Sequence, residues 1–431
     1  MTNEFLGFMR PDGHAGARNT LLILPINRSL NFIATNVCRM IRGAVHFEIP
    51  AETGRPAKDR ETIARVMEGL IRNPNVGGTL LLAVKPSGES AYRNMSDSRF
   101  AAAAEQSGKP FRILYLTESG GSYGLLGKAL QAARSLAVEV SRARRSPCPL
   151  SALTLAVKCG TSDATSGIAG NPTVGNAFDR LIDAGGTAMF SETTEIIGAE
   201  KLVAARAVND TVAGKILTAA RRWEEKALST GEDIRAINPI PANIAAGIST
   251  LEEKSLGAIA KSGHRPIQDV LTYGEAPSGH GLYFMDAWMS SLSLPLGFTA
   301  AGAAIMIYQM GGNAMPENPP MPAINPTVVS PFLYVTGNAR AFERSPDNFD
   351  FDASPVMSGN ASIEEMGEAL LTHLRDIASG TVTKMETLLY EEQLEVFMEG
   401  PVLWSIQTFR RDPPIGGSSE LCVTAPGSKA T

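Results

Sequence analysis

Short, unbroken apolar runs that alternate with amphipathic stretches constrain this chain more than any other feature. "TLLILPI" starts at Thr20 and leads into "NFIATNVCRMIRG", whose apolar residues recur at helical spacing. "KDRETIARVMEGLIRNPNVGGTLLLAV" repeats the pattern: Ile63, Val66, Met67 and Leu70 share one helical face, "NPN" ends the helix, and "GTLLLAV" reads as a second strand. "FRILYLTES" supplies a third, before a long helix that follows Gly120 and Gly121. A short run that is apolar at every position fits a strand buried on both faces. Strand alternating with helix predicts the α/β class, with parallel sheets covered by helices and ligands beyond the carboxyl ends of the strands.

With 431 residues the chain exceeds the roughly 250–300 residues at which one core stops growing. "RARRSPCPL", Arg142 to Leu150, marks a boundary: a basic, solvated helix end, then two prolines around one Cys, then a new strand. The expected organisation is an α/β domain over 1–146, a second α/β domain over 147–412 and a disordered tail over 413–431. In the second unit "ALTLAVKC" and "TAMFSE" read as strands, and "VGNAFDRLIDAGG", "TEIIGAEKLVAARAV" and "TVAGKILTAARRWEEKAL" as helices. Between Ala276 and Ser358, Gly, Pro, Met and Asn crowd the chain, which predicts loop-dense structure that lines a site or an interface. "SIEEMGEALLTHLRDIASG" is an amphipathic helix, and no repeat of fixed period is evident.

A net charge of -5 and 6% aromatic residues lack the basic excess that phosphate backbones require, which excludes a nucleic-acid partner. The four cysteines, Cys38, Cys148, Cys159 and Cys422, are far apart and form no CxxC pair, so neither a zinc ribbon nor a disulfide framework is expected. The N-terminus has no signal-peptide pattern and no run of ~18 apolar residues occurs, which predicts a cytoplasmic protein with no membrane partner.

"LTLAVKCGTSDATSGIAGNPTVG", Leu153 to Gly175, is where chemistry is expected first. A strand that ends in glycines and hydroxyls presents backbone N–H groups and short side chains to the space beyond the sheet. Ser162, Thr165 and Ser166 can donate to a carboxylate and Asp163 can accept from a hydroxyl; a Gly/Ser-rich turn organised by an Asx bond at Asp163 explains the composition equally. "FSETTEIIGAE" places Glu192, Glu195 and Glu200 where the next strand ends. The first two, three apart, form either a pair that moves protons or binds metal, or acids that meet a helix dipole. In "STLEEKSLGAIAKSG", Thr250 and Glu253 have the spacing of a capping box, while Lys254 and Lys261, seven apart, fall near one helical face and either can answer a substrate carboxylate. His280 in "SGHGL" and Asp286 at the end of an apolar run are further candidates. Cys159 invites a nucleophilic reading, but a buried strand-end Cys is inert unless its thiolate is stabilised, and no His is positioned by sequence to activate it.

"GFMRPDGHAGARN", "KCGTSDATSGIAGNPTVG", "SETTEIIGAEKLVAARA" and "NPIPANIAAGISTLEEKSLGAIAKSG" together resemble the motifs of the altronate and galactarate dehydratase family, which includes the large subunit of (2R)-sulfolactate sulfo-lyase. The likeness runs from about Gly7 to about Gly380, over two Rossmann-like α/β domains. It implies a lyase that removes water, or sulfite in the sulfo-lyase branch, from a small hydroxy acid, through an enediolate, to give a 2-oxo acid. Such chemistry needs a base at the acidic C–H, an electrophile on the carboxylate and an acid or metal at the departing group. On this resemblance Ser162, Asp163 and Ser166 grip carboxylate or hydroxyls, Glu192 and Glu195 move protons or hold a divalent metal (Fe, Mn, Mg or Zn), and Lys254 faces the enolate. Cys159, Thr165, Asn171, Asn238, Glu253, Lys261, His280 and Asp286 complete the set expected to contact substrate.

Departures from the family pattern matter as well. Where relatives carry cysteines, a His-and-Cys turn and a "GCE", this chain has "LPINRS" ending at Ser29, "FEIPAETG" around Ile49 to Thr53, and "VKPSGE" with Pro86 and Ser87. Ser, Ile and Pro offer no thiolate or imidazole, so a cysteine-ligated iron site of the family type is not expected. "IYQMGGN", Ile307 to Asn313, lacks the arginine of the family's corresponding segment. A hydrolase of a C–O or C–N bond on the same scaffold, or a catalytically silent homologue that binds a ligand or regulates, are the alternatives. Fused relatives carry a small β-rich domain ahead of "RPDG"; this chain resembles the two-subunit arrangement, which implies a separate small β-rich subunit, and a homo-oligomer is expected.

Overall fold

The computed structural model describes residues 3–86, 93–312, 325–387 and 394–400. Strands β1 (Glu4–Met9) and β2 (Ala15–Gly16) pair antiparallel. β3 (Thr20–Pro25), β4 (Ala44–His46), β5 (Val76–Ala83) and β6 (Phe111–Tyr115) form a parallel sheet in the order β4-β3-β5-β6. Side chains alternate across it. Leu21 and Ile23 meet the helices Asn31–Met40 and Ser122–Val140, whereas Leu22 and Leu24 meet the helices Ala57–Arg72 and Asp97–Gln106. Burial on both faces is why "TLLILP" has no polar alternation.

β7 (Ser146–Pro149) returns antiparallel to β1, so the proline-framed stretch is itself a strand. It lies at the edge of its three-stranded sheet, where prolines cost no ladder bond. The rest of the chain builds a second sheet from β8 (Thr154–Cys159), β9 (Thr187–Phe190), β10 (Ile267–Thr272), β11 (Gly281–Asp286), β12 (Ile305–Met310), β13 (Phe332–Thr336) and β14 (Phe351–Asp352). All its pairings are parallel and its order is β10-β11-β9-β8-β12-β13-β14. Four of these strands lie between Ala276 and Ser358, where the sequence predicts loop-dense chain. The runs are short, apolar throughout and punctuated by Gly and Pro, so they carry no period to distinguish them from turns. The expected tail over 413–431 lies outside the described residues.

One apolar core joins the two large sheets. Val66, Met67 and Leu70 pack in a single cluster with Leu24 and Leu81 of the first sheet and with Met285, Met306 and Tyr308 of the second. The helix Ala57–Arg72 is thus covered on both sides, and Gly69 allows its close approach to the helix Leu294–Ala300: a Cβ there would stand 2.1 Å from the carbonyl oxygen of Ala300. On the far face of the second sheet, Leu155, Phe190, Phe284, Ile307 and Val335 are covered by the helices Asn171–Asp183, Asp210–Leu228 and Ile363–Ala378. From β8 the chain moves to β9 on one side, and only later fills the other side with β12. That reversal makes the carboxyl end of β8 the place where such sheets bind ligands.

Candidate active site

Lys158 and Cys159 end β8, and the glycine-and-hydroxyl loop follows. Asp163 holds that loop together. Its Oδ1 accepts from Thr165 Oγ1 at 2.6 Å, from the Ser166 N–H at 3.0 Å and from Ser166 Oγ at 3.3 Å; its Oδ2 accepts from the Gly312 N–H at 2.5 Å and Asn338 Nδ2 at 2.8 Å. Both oxygens are therefore committed to tying the loop after β8 to the segments beyond β12 and β13. Asx-type bonding accounts for Asp163, Thr165 and Ser166, which differs from the expected grip on substrate.

Behind this loop the chain buries a cluster of acids and amines. Glu192 follows β9 with φ 76° and ψ 64°, a left-handed conformation that is uncommon for a non-glycine residue and turns the backbone sharply into the 3₁₀ turn Thr193–Glu195. Its Oε2 accepts from the Cys159 N–H at 2.9 Å and from Lys261 Nζ, while Oε1 lies 3.4 Å from Lys158 Nζ. Glu195 Oε1 is 3.8 Å from Lys254 Nζ and its Oε2 is 3.6 Å from Lys261 Nζ. Lys261 Nζ also lies 3.2 Å from Cys159 Sγ, which donates to Asn171 Oδ1 at 3.2 Å. Lys158 Nζ donates to the Cys159 carbonyl and stands 5.1 Å from the centre of the Tyr308 ring. Lys158, Lys254, Lys261, Glu192 and Glu195 are all buried.

Burial alone would raise Glu192, but Lys261, Lys158 and the Cys159 N–H outweigh it and hold the carboxyl below its ordinary value. Glu195 goes the other way: burial, then the charge of Glu192, raises it despite the nearby lysines. Burial also pushes the Cys159 thiol up to about 12, against the pull of Lys261, so this thiol is not a ready nucleophile. Burial opposes the charge on Lys261 and Lys158, yet surrounding acidic groups raise both; Cys159 and Glu192 lead at Lys261, Tyr308 and Glu192 at Lys158. Glu192 Oε1, Glu195 Oε2, Thr194 Oγ1 and Gln309 Nε2 are buried without a hydrogen-bond partner among the described residues. Such groups are rare in native interiors, and a polar ligand would satisfy them.

Lys254 reaches the cluster from the helix Leu251–Ile259, with Nζ donating to Asn238 Oδ1 at 2.8 Å and Asn243 Oδ1 at 3.1 Å. Asn243 Nδ2 in turn donates to the Ser162 carbonyl at 3.0 Å, so it is the backbone of Ser162 that ties the first loop to Lys254. Asn243, Lys158, Tyr308 and Gln309 are absent from the sequence-predicted set. Lys158 alone left a trace, as the one charged residue in an apolar strand.

Of three further expected residues, two lie elsewhere. His280 is exposed just before β11, at the amino end of the sheet, because the turn "SGHGL" enters that strand rather than leaving it. Glu253 is exposed and accepts from the Ser249 N–H at 2.7 Å, reaching one residue beyond the Thr250 cap, a helix-end role. Asp286 ends β11 beside the cluster but is engaged by Thr193 Oγ1, Trp223 Nε1 and Arg222 Nη2, each at 2.9 Å. It supports the Glu192 turn through Thr193. A cavity of about 500 Å³, lined by Asp12, Arg65, Arg72, Thr154, Thr187 and Gly302 among others, opens at the amino ends of β8 and β9, away from this chemistry.

Cys159 Sγ and one oxygen each of Glu192 and Glu195 lie within 4.8 Å of one another, so by spacing alone this buried group could hold a metal ion. Lys261 Nζ contacts all three residues. A metal would have to displace that ammonium and a proton from Cys159, so the donor set does not fit a metal while Lys261 stays in place.

Residues 7–141 match the family model described as D-galactarate dehydratase/Altronate hydrolase, second domain, and residues 150–402 match D-galactarate/Altronate dehydratase, C-terminal. The chain is 31% identical to the (2R)-sulfolactate sulfo-lyase subunit beta of Chromohalobacter salexigens, over 90% of this chain and 96% of that one. It is 30% identical to the altronate dehydratase of Bacillus subtilis, over 93% and 78% of the two chains. It is also 30% identical to the galactarate dehydratase (L-threo-forming) of Escherichia coli, over 78% of this chain and 63% of that one. These relatives are lyases. The chain belongs to the D-galactarate/altronate dehydratase family of enzymes.

Proposed function

We propose that this protein is a lyase acting on a small 2-hydroxy carboxylic acid: it eliminates a C3 hydroxyl as water, or a comparable C3 leaving group such as sulfite, and the resulting enol, which keeps the C2 oxygen, tautomerises to a 2-oxo acid. The observation that carries the reading is the buried cluster at the end of β8, where two glutamates and three lysines meet and Glu192 Oε1 and Glu195 Oε2 have no hydrogen-bond partner among the described residues. Environments that push two carboxyls in opposite directions assign acid and base. Glu192, held ionised, takes the proton from the carbon beside the carboxylate. Glu195, which retains its proton, delivers it to the departing hydroxyl. The two are close enough for the proton to return from Glu192 to Glu195 after product leaves. Lys254 and Lys261 supply positive charge to the enediolate in a water-poor site, where such charge acts most strongly. With Lys158 they give the cluster a net charge of about +2 when Glu195 is neutral, which suits an anionic substrate.

A hydrolase has less support: the raised thiol of Cys159 removes the obvious nucleophile. The name of the sulfo-lyase relative, subunit beta, supports a separate partner subunit here as well. No helix among the described residues is long and apolar enough to cross a membrane. The test is turnover of aldonic, aldaric and sulfonated hydroxy acids by the purified chain, alone and with a small partner subunit. A 2-oxo acid supports the lyase, and hydrolysis of amides or lactones without one refutes it.

A further inference from the structure

The residues with metal-type donor atoms at this site are the same three that surround Lys261. Its Nζ lies 3.2 Å from Cys159 Sγ and 3.6 Å from Glu195 Oε2, and it hydrogen-bonds Glu192 Oε2. An ammonium has three N–H donors and no acceptor; here it hydrogen-bonds Glu192 Oε2 and Cys159 Sγ and faces Glu195 Oε2 at ion-pair distance, so a cation already stands among all three. The placement is built rather than incidental. Lys261 sits in the 3₁₀ turn Ala260–Ser262, and the Ala260 carbonyl packs where a Cβ on Gly175 would be, 2.1 Å away. Ser262 is pinned by Arg206, whose Nη1 donates to Ser262 Oγ at 2.8 Å and whose Nη2 donates to its carbonyl at 3.3 Å. Asp179 Oδ1 accepts the next two free N–H groups, from His264 at 2.7 Å and Arg265 at 3.1 Å. The turn is therefore clamped on both sides of Gly263, and the Lys261 side chain, 1% exposed, has no room to swing out. A divalent ion entering here would also face Lys158, 3.4 Å from Glu192, and Lys254, 3.8 Å from Glu195.

We propose that Lys261 is the resident cation of this site, built into the position a divalent metal would take, so that the native chain excludes metal from the Cys159, Glu192 and Glu195 group. The consequence for turnover, that Lys261 supplies the charge at the enediolate, rests on the lyase reading; the exclusion of metal does not. Removing the ammonium leaves two buried carboxyls and a thiol without their cation, and a divalent ion can then replace it.

The probe is Co²⁺, added as chloride to chelator-dialysed protein and followed by the thiolate-to-cobalt charge-transfer absorption. Wild-type protein is expected to show no saturable band. Lys261→Met is expected to bind one cobalt per chain with the band, and Lys261→Met with Cys159→Ser is expected to lose it. If Lys261→Met does not fold, Lys261→Gln makes the same test and the wild-type titration stands by itself. A saturable thiolate band in the wild type, or none in a folded Lys261 variant, overturns the proposal. Cobalt binding is read without turnover, so its outcome and the outcome of the lyase assay are independent.

Discussion

Replacing Glu192 with Gln tests whether the buried cluster is held by charge. The substitution keeps the shape of the side chain and removes its charge from beside Lys261 and Lys158. At an effective dielectric constant of ~20, a unit pair at the 3.4 Å separation of Glu192 and Lys158 attracts by roughly 5 kcal/mol. Desolvation of both partners offsets part of that in the intact pair, but Glu192→Gln leaves the lysines buried and removes the anion that holds them. Breaking a buried pair from one side costs about 3–5 kcal/mol. Urea unfolding should show Glu192→Gln destabilised by that amount. Glu192→Gln combined with Lys261→Met should be less destabilised than the sum of the single changes, because the second removes the cation the first leaves unpaired. A loss below about 1 kcal/mol, within the range of ordinary surface pairs, or strict additivity of the two changes, refutes the account of the cluster as one electrostatic unit.

Lys109, buried with Nζ donating to the Asn73 carbonyl at 2.9 Å, is lowered to about 7 by burial and then by Arg10. Between pH ~7 and ~10.4 the unfolded chain holds a proton that the native chain lacks, so stability rises with pH across that window; below it the full penalty, on the order of 5 kcal/mol, remains. Lys109→Met should flatten the rise in a pH series of unfolding midpoints, and an unchanged slope counts against the burial of a charge there. Asp163→Ala strips an acceptor from Ser166, Gly312 and Asn338 and should destabilise by about 2–4 kcal/mol in chemical unfolding. Asp163→Asn, which keeps one acceptor oxygen, should recover part of that loss, and an equal loss would place the importance of Asp163 outside its hydrogen bonds. Gly69→Ala drives a methyl into the Ala300 carbonyl and should lower the melting temperature, whereas an unchanged one would show that the two helices can part without cost.

How far sequence reaches into this structure depends on whether an element carries a period. The helix with Ile63, Val66, Met67 and Leu70 on one face is plain, and so are β3, β5 and β8, whose unbroken apolar runs lie between turn residues. β11, β12 and β13 are no less buried, but their runs sit among Gly and Pro and read as loop. β1 and β7 pair across some 140 residues, with Leu6 opposite Pro147, a partnership no local pattern announces. At the site, the seven-residue spacing of Lys254 and Lys261 foretells a common direction, and both point inward. Local sequence does not say which end of a strand a neighbouring residue occupies, so "SGHGL" is compatible with either end of β11, and the topology puts His280 at the amino end. A carboxylate in a glycine-rich loop suits either a ligand contact or an Asx bond, and the sequence does not choose between them; in the structure the oxygens of Asp163 are taken by Thr165, Ser166, Gly312 and Asn338. Asn243 became visible only once the short helix Pro241–Ala245 brought it between Ser162 and Lys254.

The most direct measurement is the rate of 2-oxo acid formation by wild-type protein and by Glu195→Gln on a substrate from the hydroxy-acid panel. Loss of a positioned proton donor should lower kcat by about 10²–10⁴-fold, with the unfolding midpoint nearly unchanged because burial and Glu192 raise the Glu195 carboxyl towards the neutral form that Gln imitates. Turnover by Glu195→Gln equal to that of the wild type would contradict a proton-transfer role for this carboxyl and, with it, the placement of the reaction at the end of β8.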